Sequence, residues 1–194
     1  MMIKKMNVYD FDETIFYPDS SYSFIRWTLR KYPRIFIHWV FPFMWYGLLF
    51  LLRLTTKEKF KWAIFGVVRY LDDVDAEVRE FWDTHTEGFC EWYLKQKTPD
   101  DLIISASPEW LLAPICDRLG VKLIASPLDK HTAVTHGLTC TGKEKVRRFY
   151  EEYPEGIIEN FYSDALRDAP VAEIAVHAYK VVSKGQRIIP WPDK

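Results

Sequence analysis

The chain has 194 residues, with 26 Lys and Arg against 27 Asp and Glu, a net charge of −1 and 48% hydrophobic residues. That balance supplies a core for one globular domain, or one domain with a large insertion, and excludes disordered, collagen-like and coiled-coil classes. Near-zero charge gives no basic field for nucleic acid, and Cys90, Cys116 and Cys140 are too far apart for a disulfide framework or a Cys-based zinc site, which points to a reducing compartment.

The opening residues, MMIKKMNVYDFDE, have no apolar run before the acids, so no secretory signal is expected. Residues 6–9 read as a strand that ends abruptly at Asp10-Phe11-Asp12-Glu13. Residues 20–34 carry apolar positions at helical spacing (Tyr22, Ile25, Leu29, Tyr32). Residues 35–52, IFIHWVFPFMWYGLLFLL, hold no formal charge and lie between basic flanks: Arg26, Arg30, Lys31 and Arg34 before, Arg53, Lys57, Lys59 and Lys61 after. Val74, Val78, Phe81, Trp82, His85, Phe89, Trp92 and Tyr93 predict one long amphipathic helix, with Asp72, Asp73 and Asp75 at its start. Six of the eight tryptophans fall between residues 16 and 99, which marks that stretch as a region with its own surroundings.

From about residue 100 strands and helices alternate. Residues 102–105 and 121–126 read as strands. Between them Ser107-Pro108 reads as a helix N-cap and first turn, and Gly120 as the stop. Residues 132–139 resemble a small polar hairpin, 145–153 a helix, 157–162 a strand, 168–176 a short helix and 178–182 a final strand. The alternation predicts an α/β fold on a parallel sheet. The five histidines show no ligand spacing, and His131 and His136 read as surface residues.

Sites in such sheets lie beyond the C-terminal strand ends. The polar groups there are Asp10 and Asp12, then Ser105, then Asp164 and Asp168. Carboxylates gathered this way repel unless a cation joins them, and hard oxygen donors favour Mg2+. A lysine early in the 145–153 helix would complete a site for a phosphate dianion.

These residues resemble the haloacid dehalogenase-like superfamily of phosphohydrolases. Asp10-Phe11-Asp12-Glu13-Thr14 is similar to its DxDxT signature, Ser105 in ISAS to the second motif, GKEKV to the third and SDALRD to the fourth. The resemblance implies a Rossmann-like core, residues 1–15 and 100–194, with an inserted helical cap of the C1 type at 16–99. It also implies roles. Asp10 is the nucleophile and Asp12 the general acid and base. Ser105, Lys145 and the backbone at Ala106 hold the phosphoryl group, with Thr14 among the phosphate-binding residues and holding the loop after the nucleophile. Mg2+ would be bound by Asp10, Asp12 (through its carbonyl) and Asp164, with Asp168 and Lys143 supporting. Lys143 and Lys145 both compete for the third motif, and Lys145 fits the G-x-x-K-V pattern. Glu13 stands where glycine is common in the family.

A narrower resemblance, within subfamily IB, is carried by DFDETIF, the apolar stretch, GKEKV and YSDALRDAP, and is to the bacterial phosphatidylglycerophosphatase C group. It implies an Mg2+-dependent phosphomonoesterase acting on a membrane lipid phosphate at the inner face of the cell membrane. Residues 35–52 would be long enough for one bilayer crossing, but a single span would separate Asp10 from Ser105 and Asp164. With Pro42 and Gly47 expected to interrupt the helix, the alternatives are a monotopic or re-entrant hairpin in one leaflet, or an unusually apolar cap core. The rival functions are a soluble small-metabolite phosphatase of the phosphoserine phosphatase kind and a non-catalytic membrane-binding protein. Head group and oligomeric state are left open.

Overall fold

A computed structural model describes residues 4–192; residues 1–3 and 193–194 of the expected core lie outside the described residues. Six strands form one sheet: β1 (Lys5–Tyr9), β2 (Leu102–Pro108), β3 (Lys122–Ser126), β4 (Ile157–Ser163), β5 (His177–Val182) and β6 (Arg187–Pro190). Their order is β3-β2-β1-β4-β5-β6, and all pairings are parallel except β5 with β6. This is the α/β architecture expected. β6 was not, because the turn before it is short and its four residues carry little pattern; Ser183, Lys184 and Gly185 all take positive φ to reverse the chain.

β1 lies at the centre, so Asp10 leaves the sheet with strands on both sides. One face is covered by α6 (Glu109–Leu119) and by the insertion, and the other by α7 (Lys143–Glu152) and α8 (Ala169–Ala172). The insertion carries α1 (Ser20–Lys31), α2 (Pro33–Leu51), α3 (Lys57–Ile64), α4 (Val74–Thr84) and α5 (Glu91–Gln96). Its aromatics share one hydrophobic core with the sheet: Phe24, Phe81 and Trp82 pack with Phe11, Phe16 and Leu111, and Trp82 Nε1 donates to the Leu111 carbonyl at 2.7 Å.

Three local expectations are corrected. The single helix through 74–93 is broken into α4 and α5, because the chain must pass under the loop after β1. Tyr17 N–H donates to the Gly88 carbonyl and Cys90 N–H to that of Ile15, both at 2.9 Å. A Cβ at Gly88 would lie 2.5 Å from the Phe16 ring, so glycine is required there. Ser107 is not an N-cap: Pro108 takes that position and β2 runs on through Ser107. Residues 132–139 form no ladder, only one bridge between Leu128 and Thr135, and the turn is instead organised by the Asp129 carboxylate, which accepts from the backbone N–H groups of His131 and Thr132.

The apolar segment also differs from expectation. α2 is one continuous helix with Pro42 inside it, not a hairpin. Proline removes one helical hydrogen bond, but the helix is held on both sides of it. Trp39 donates to the Ile64 carbonyl at 2.9 Å, Trp39 stacks on Phe43, and Phe50 stacks on Phe60. Nor is the segment the core of the cap: in α2 only Ile35 and Trp39 are buried. Phe41 is 70% exposed, Trp45 60% and Leu51 80%, and Ile37, Met44 and Leu48 are also exposed. By length and composition this helix could cross a membrane.

Candidate active site

The strand β1 ends at Tyr9, and Asp10 N–H continues the pairing by donating to the Tyr162 carbonyl at 2.9 Å. The chain then turns tightly. Glu13 takes φ +58° and donates from its N–H to the Phe16 carbonyl at 2.8 Å. This left-handed conformation is the one glycine adopts without cost, which accounts for glycine being common there.

Asp10 is buried. Its Oδ1 accepts from Lys145 Nζ at 2.9 Å and from Phe11 N–H at 2.9 Å, leaving the other oxygen without a protein partner among the described residues. Lys145, on α7, is also buried, and its ammonium reaches Asp168 Oδ2 at 2.6 Å. Asp168 is held in turn by Ser163 Oγ–H at 3.1 Å and Gly142 N–H at 3.4 Å. Burial raises the Asp10 carboxyl above the ordinary range against the pull of Lys145. Burial also opposes the Lys145 charge, but Asp10 and Asp168 outweigh it and hold the ammonium above the ordinary lysine value. Lys143, two residues earlier, is exposed. A two-residue step on a helix turns the side chain to another face.

Asp12 is half-buried beside this pair. One oxygen accepts from Ser20 N–H at 2.6 Å and the other from Ser107 Oγ–H in a short hydrogen bond. Burial, and then the charge of Asp19, push its carboxyl up to about 7. Ser107 thus contacts the acidic motif directly, a placement that its sequence reading as a cap missed. Ser105 is buried at the end of β2, where its Oγ accepts from Ser107 N–H at 3.1 Å. Ala106 beside it gives its carbonyl to Ser126 Oγ–H and to Lys61 Nζ, each at 2.7 Å.

Thr14, expected among the phosphate ligands, is fully buried with its hydroxyl committed elsewhere. It accepts from Asp164 N–H at 2.9 Å and donates to Asp164 Oδ1 at 3.3 Å. It ties the loop after β1 to Asp164 and does not line the cavity. Burial raises the Asp164 carboxyl.

Among the described residues no group of three or more His, Cys, Asp and Glu side chains could hold a metal. The set implied for Mg2+ asks for only two carboxylates, Asp10 and Asp164, together with the Asp12 carbonyl. The uncommitted oxygen of Asp10, and Asp164 near enough to raise the Asp10 carboxyl, fit a hard cation that keeps several waters.

A cavity of ≈1110 Å³ opens over these groups. Its floor includes Asp10, Asp12, Ser105, Ala106 and Ser107; its walls are α1, α2 and α3, with Ile25, Leu29, Phe36, Trp39, Phe43, Phe50 and Phe60. Lys61 enters from α3, and burial pushes its ammonium down to about 8. No local pattern marks Lys61 as pointing inward; by residue type it reads only as a basic flank.

A parallel sheet with acids leaving its central strand, a buried lysine behind them and a helical insertion above defines the class of α/β hydrolases that work from strand-end carboxylates. Residues 8–173 match the haloacid dehalogenase-like hydrolase family, and the chain belongs to it. No curated protein matches the chain. Among solved structures, a Bordetella pertussis Tohama I protein of unknown function is similar at 18% identity and TM-score 0.72, covering 91% of this chain and 89% of that one. A haloacid dehalogenase family hydrolase from Salmonella enterica serovar Typhi is similar at 12% identity and TM-score 0.62, over 89% of this chain and 61% of that one. A phosphoserine phosphohydrolase-like protein from Francisella tularensis is similar at 14% identity and TM-score 0.52, over 91% and 86%. At these identities the likeness speaks for the fold.

Proposed function

We propose that the protein is an Mg2+-dependent phosphomonoesterase that works through an aspartyl-phosphate and acts on a membrane lipid phosphate of the phosphatidylglycerophosphate kind. The observation that carries the lipid reading is the double face of α2. Phe36, Trp39, Phe43 and Phe50 wall the cavity over the acidic motif, while Ile37, Phe41, Met44, Trp45, Leu48 and Leu51 are bare. An apolar surface of this kind marks a binding face.

In this reading an oxygen of Asp10 attacks phosphorus, and the bond from phosphorus to the ester oxygen breaks as Asp12 gives that oxygen its proton. Asp12 then takes a proton from the water that attacks phosphorus and releases Asp10. Lys145 holds Asp10 in place and offsets its charge, and Asp168 fixes Lys145. Ser105 and the backbone N–H groups beside it receive the phosphoryl oxygens. Asp10, Asp164 and the Asp12 carbonyl would hold Mg2+, which would supply charge neutralisation for the transferring phosphoryl group. The raised Asp12 carboxyl supports its work as a proton donor near neutrality.

Replacing Asp12 with Asn is expected to slow alkyl phosphate hydrolysis by about 10²–10⁴-fold, the scale of one general acid. Aryl phosphates, whose leaving oxygen needs less help, are expected to lose much less. Equal losses on both substrates would remove Asp12 from that role.

The membrane surface is the partner proposed for α2, at the cytoplasmic face, with no nucleic acid involved. The helix would lie in the interface rather than cross it, since its inner face packs on α3. Five of the expected basic flanks serve elsewhere: Lys31 pairs with Glu77 and Glu80, and Arg26, Arg30, Lys57 and Lys61 line the cavity. The double variant Phe41→Ser/Trp45→Ser is expected to reduce liposome co-sedimentation and lipid hydrolysis about tenfold or more, given about 0.8 kcal/mol per CH₂ withdrawn from lipid. Hydrolysis of a soluble phosphomonoester is expected to stay within about twofold, because both side chains lie outside the cavity. A parallel fall in both activities would contradict the lipid assignment.

The test of the function is phosphate release with Mg2+ from phosphatidylglycerophosphate in mixed micelles, set against phosphoserine and other soluble monoesters. Preference for the lipid is expected; preference for phosphoserine would favour the soluble-metabolite alternative.

A further inference from the structure

The cavity gathers more basic than acidic side chains. Asp10, Asp12 and Asp19 line it against Arg26, Arg30, Lys57, Lys61 and Arg167. None of these five cations forms an ion pair among the described residues, whereas Lys31, Lys95, Arg118, Lys130, Arg147 and Arg148 each hold a carboxylate. Arg26 and Arg30 lie one turn apart on α1, as Lys57 and Lys61 do on α3, so two helices of the insertion bring basic pairs to the same space.

Lys61 is the inner member. It crosses from α3 to the end of β2 and donates to the Ala106 carbonyl at 2.7 Å, its one hydrogen bond among the described residues. An ammonium has three donors, so two are left without a protein acceptor. Lys61 is half-buried and faces the cavity, so those donors are open to an anion that enters it. The side on which that anion would sit follows from the chemistry. Attack by Asp10 is in line, so the leaving group departs on the side of phosphorus away from the sheet, toward the insertion. The unpaired cations of α1 and α3 are on that side.

We propose that Lys61, with the rim cations Arg26, Arg30 and Lys57, forms a subsite for a second anionic group on the leaving-group side of the substrate, a phosphodiester a few bonds from the phosphomonoester. This rests on the phosphomonoesterase reading above. A phosphodiester fits better than a carboxylate because the cavity that holds the cations is also walled by the apolar side chains of α2, and a diester is the group that joins a polar head to acyl chains.

The experiment uses water-soluble substrates, so that membrane binding does not enter. Values of kcat/KM are measured for glycerophosphoglycerophosphate, phosphoserine and phenyl phosphate with the wild type, Lys61→Ala and Lys61→Arg. The wild type is expected to prefer the diester-containing monoester. Lys61→Ala is expected to reduce that preference over phenyl phosphate by about 10–100-fold, mainly through KM, the range of one charge-assisted hydrogen bond; Lys61→Arg is expected to keep most of it. Uniform loss on all three substrates, no loss of preference, or an equal dependence with phosphoserine would overturn the assignment. If the wild type cleaves none of them, the phosphomonoesterase reading fails by itself. Calorimetric binding of glycerophosphoglycerol then decides the subsite: weakening by Lys61→Ala supports it, and no binding or unchanged binding overturns it.

Discussion

Asp10→Asn is expected to abolish phosphate release, a loss on the order of 10⁴-fold or more, because an amide is a poor nucleophile toward phosphorus and no second group occupies the same place. The variant is expected to fold. Lys145 keeps its contact to Asp168 at 2.6 Å, so no buried ammonium is left alone. An Asn side chain retains an oxygen that can accept from Phe11 N–H, as Asp10 does at 2.9 Å. The measurement is phosphate release by purified protein with a melting curve taken alongside. Turnover near the wild-type rate would remove Asp10 from the chemistry.

Lys145→Ala is expected to act on both stability and activity. Its ammonium is 1% exposed and lies between Asp10 and Asp168, at 2.9 and 2.6 Å. Removing it leaves two buried carboxylates without their shared counter-charge, and breaking a buried pair in this way costs about 3–5 kcal/mol. Urea denaturation reads that loss directly. Activity is expected to fall as well, since Asp10 loses the group that positions it. Lys143→Ala is the control: an exposed position of this kind changes stability by about 0.5 kcal/mol or less. The reverse result, a benign Lys145→Ala beside an inactive Lys143→Ala, would assign the third motif to Lys143.

Why Asp10, Asp12, Ser105, Asp164 and Lys145 could be found in the sequence, and Lys61 and Ser107 could not, is a matter of locality. The first group sits at the ends of strands or early in a helix, where a few consecutive residues fix both backbone and direction. Asp10 and Asp12 follow a buried strand, and Lys145 sits in the first turn of α7. Lys61 depends on how α3 is docked on the rest of the insertion, which no short pattern encodes. Ser107 was misread because Ser-Pro is a good helix start; the partner that decides its place, Asp12, lies 95 residues away. The break between α4 and α5 is of the same kind. The apolar spacing continues across it, and only the passage of Phe16 against Gly88 forces the helix to stop. Pro42 erred in the opposite sense: a local rule predicted an interruption, and packing of Trp39, Phe43 and Phe50 on either side overrides it.

The apolar helix shows how much a structure adds to composition. From residues alone, 35–52 fits a membrane-surface hairpin better than a cap core, because of its Trp and Tyr and its basic flanks. The continuous α2, with one face on the cavity and the other bare, fits neither and supports an interfacial helix beside the site.

The measurement that tests the central claim most directly is chemical trapping of the intermediate. Wild-type protein turning over a phosphomonoester with Mg2+ is quenched with borohydride, which reduces an acyl phosphate on an aspartate to the alcohol of homoserine, and the peptides are read by mass spectrometry. Homoserine at position 10, absent without substrate, is the predicted result. Sustained phosphate release with Asp10 unmodified, or with the label on another carboxylate, would contradict it.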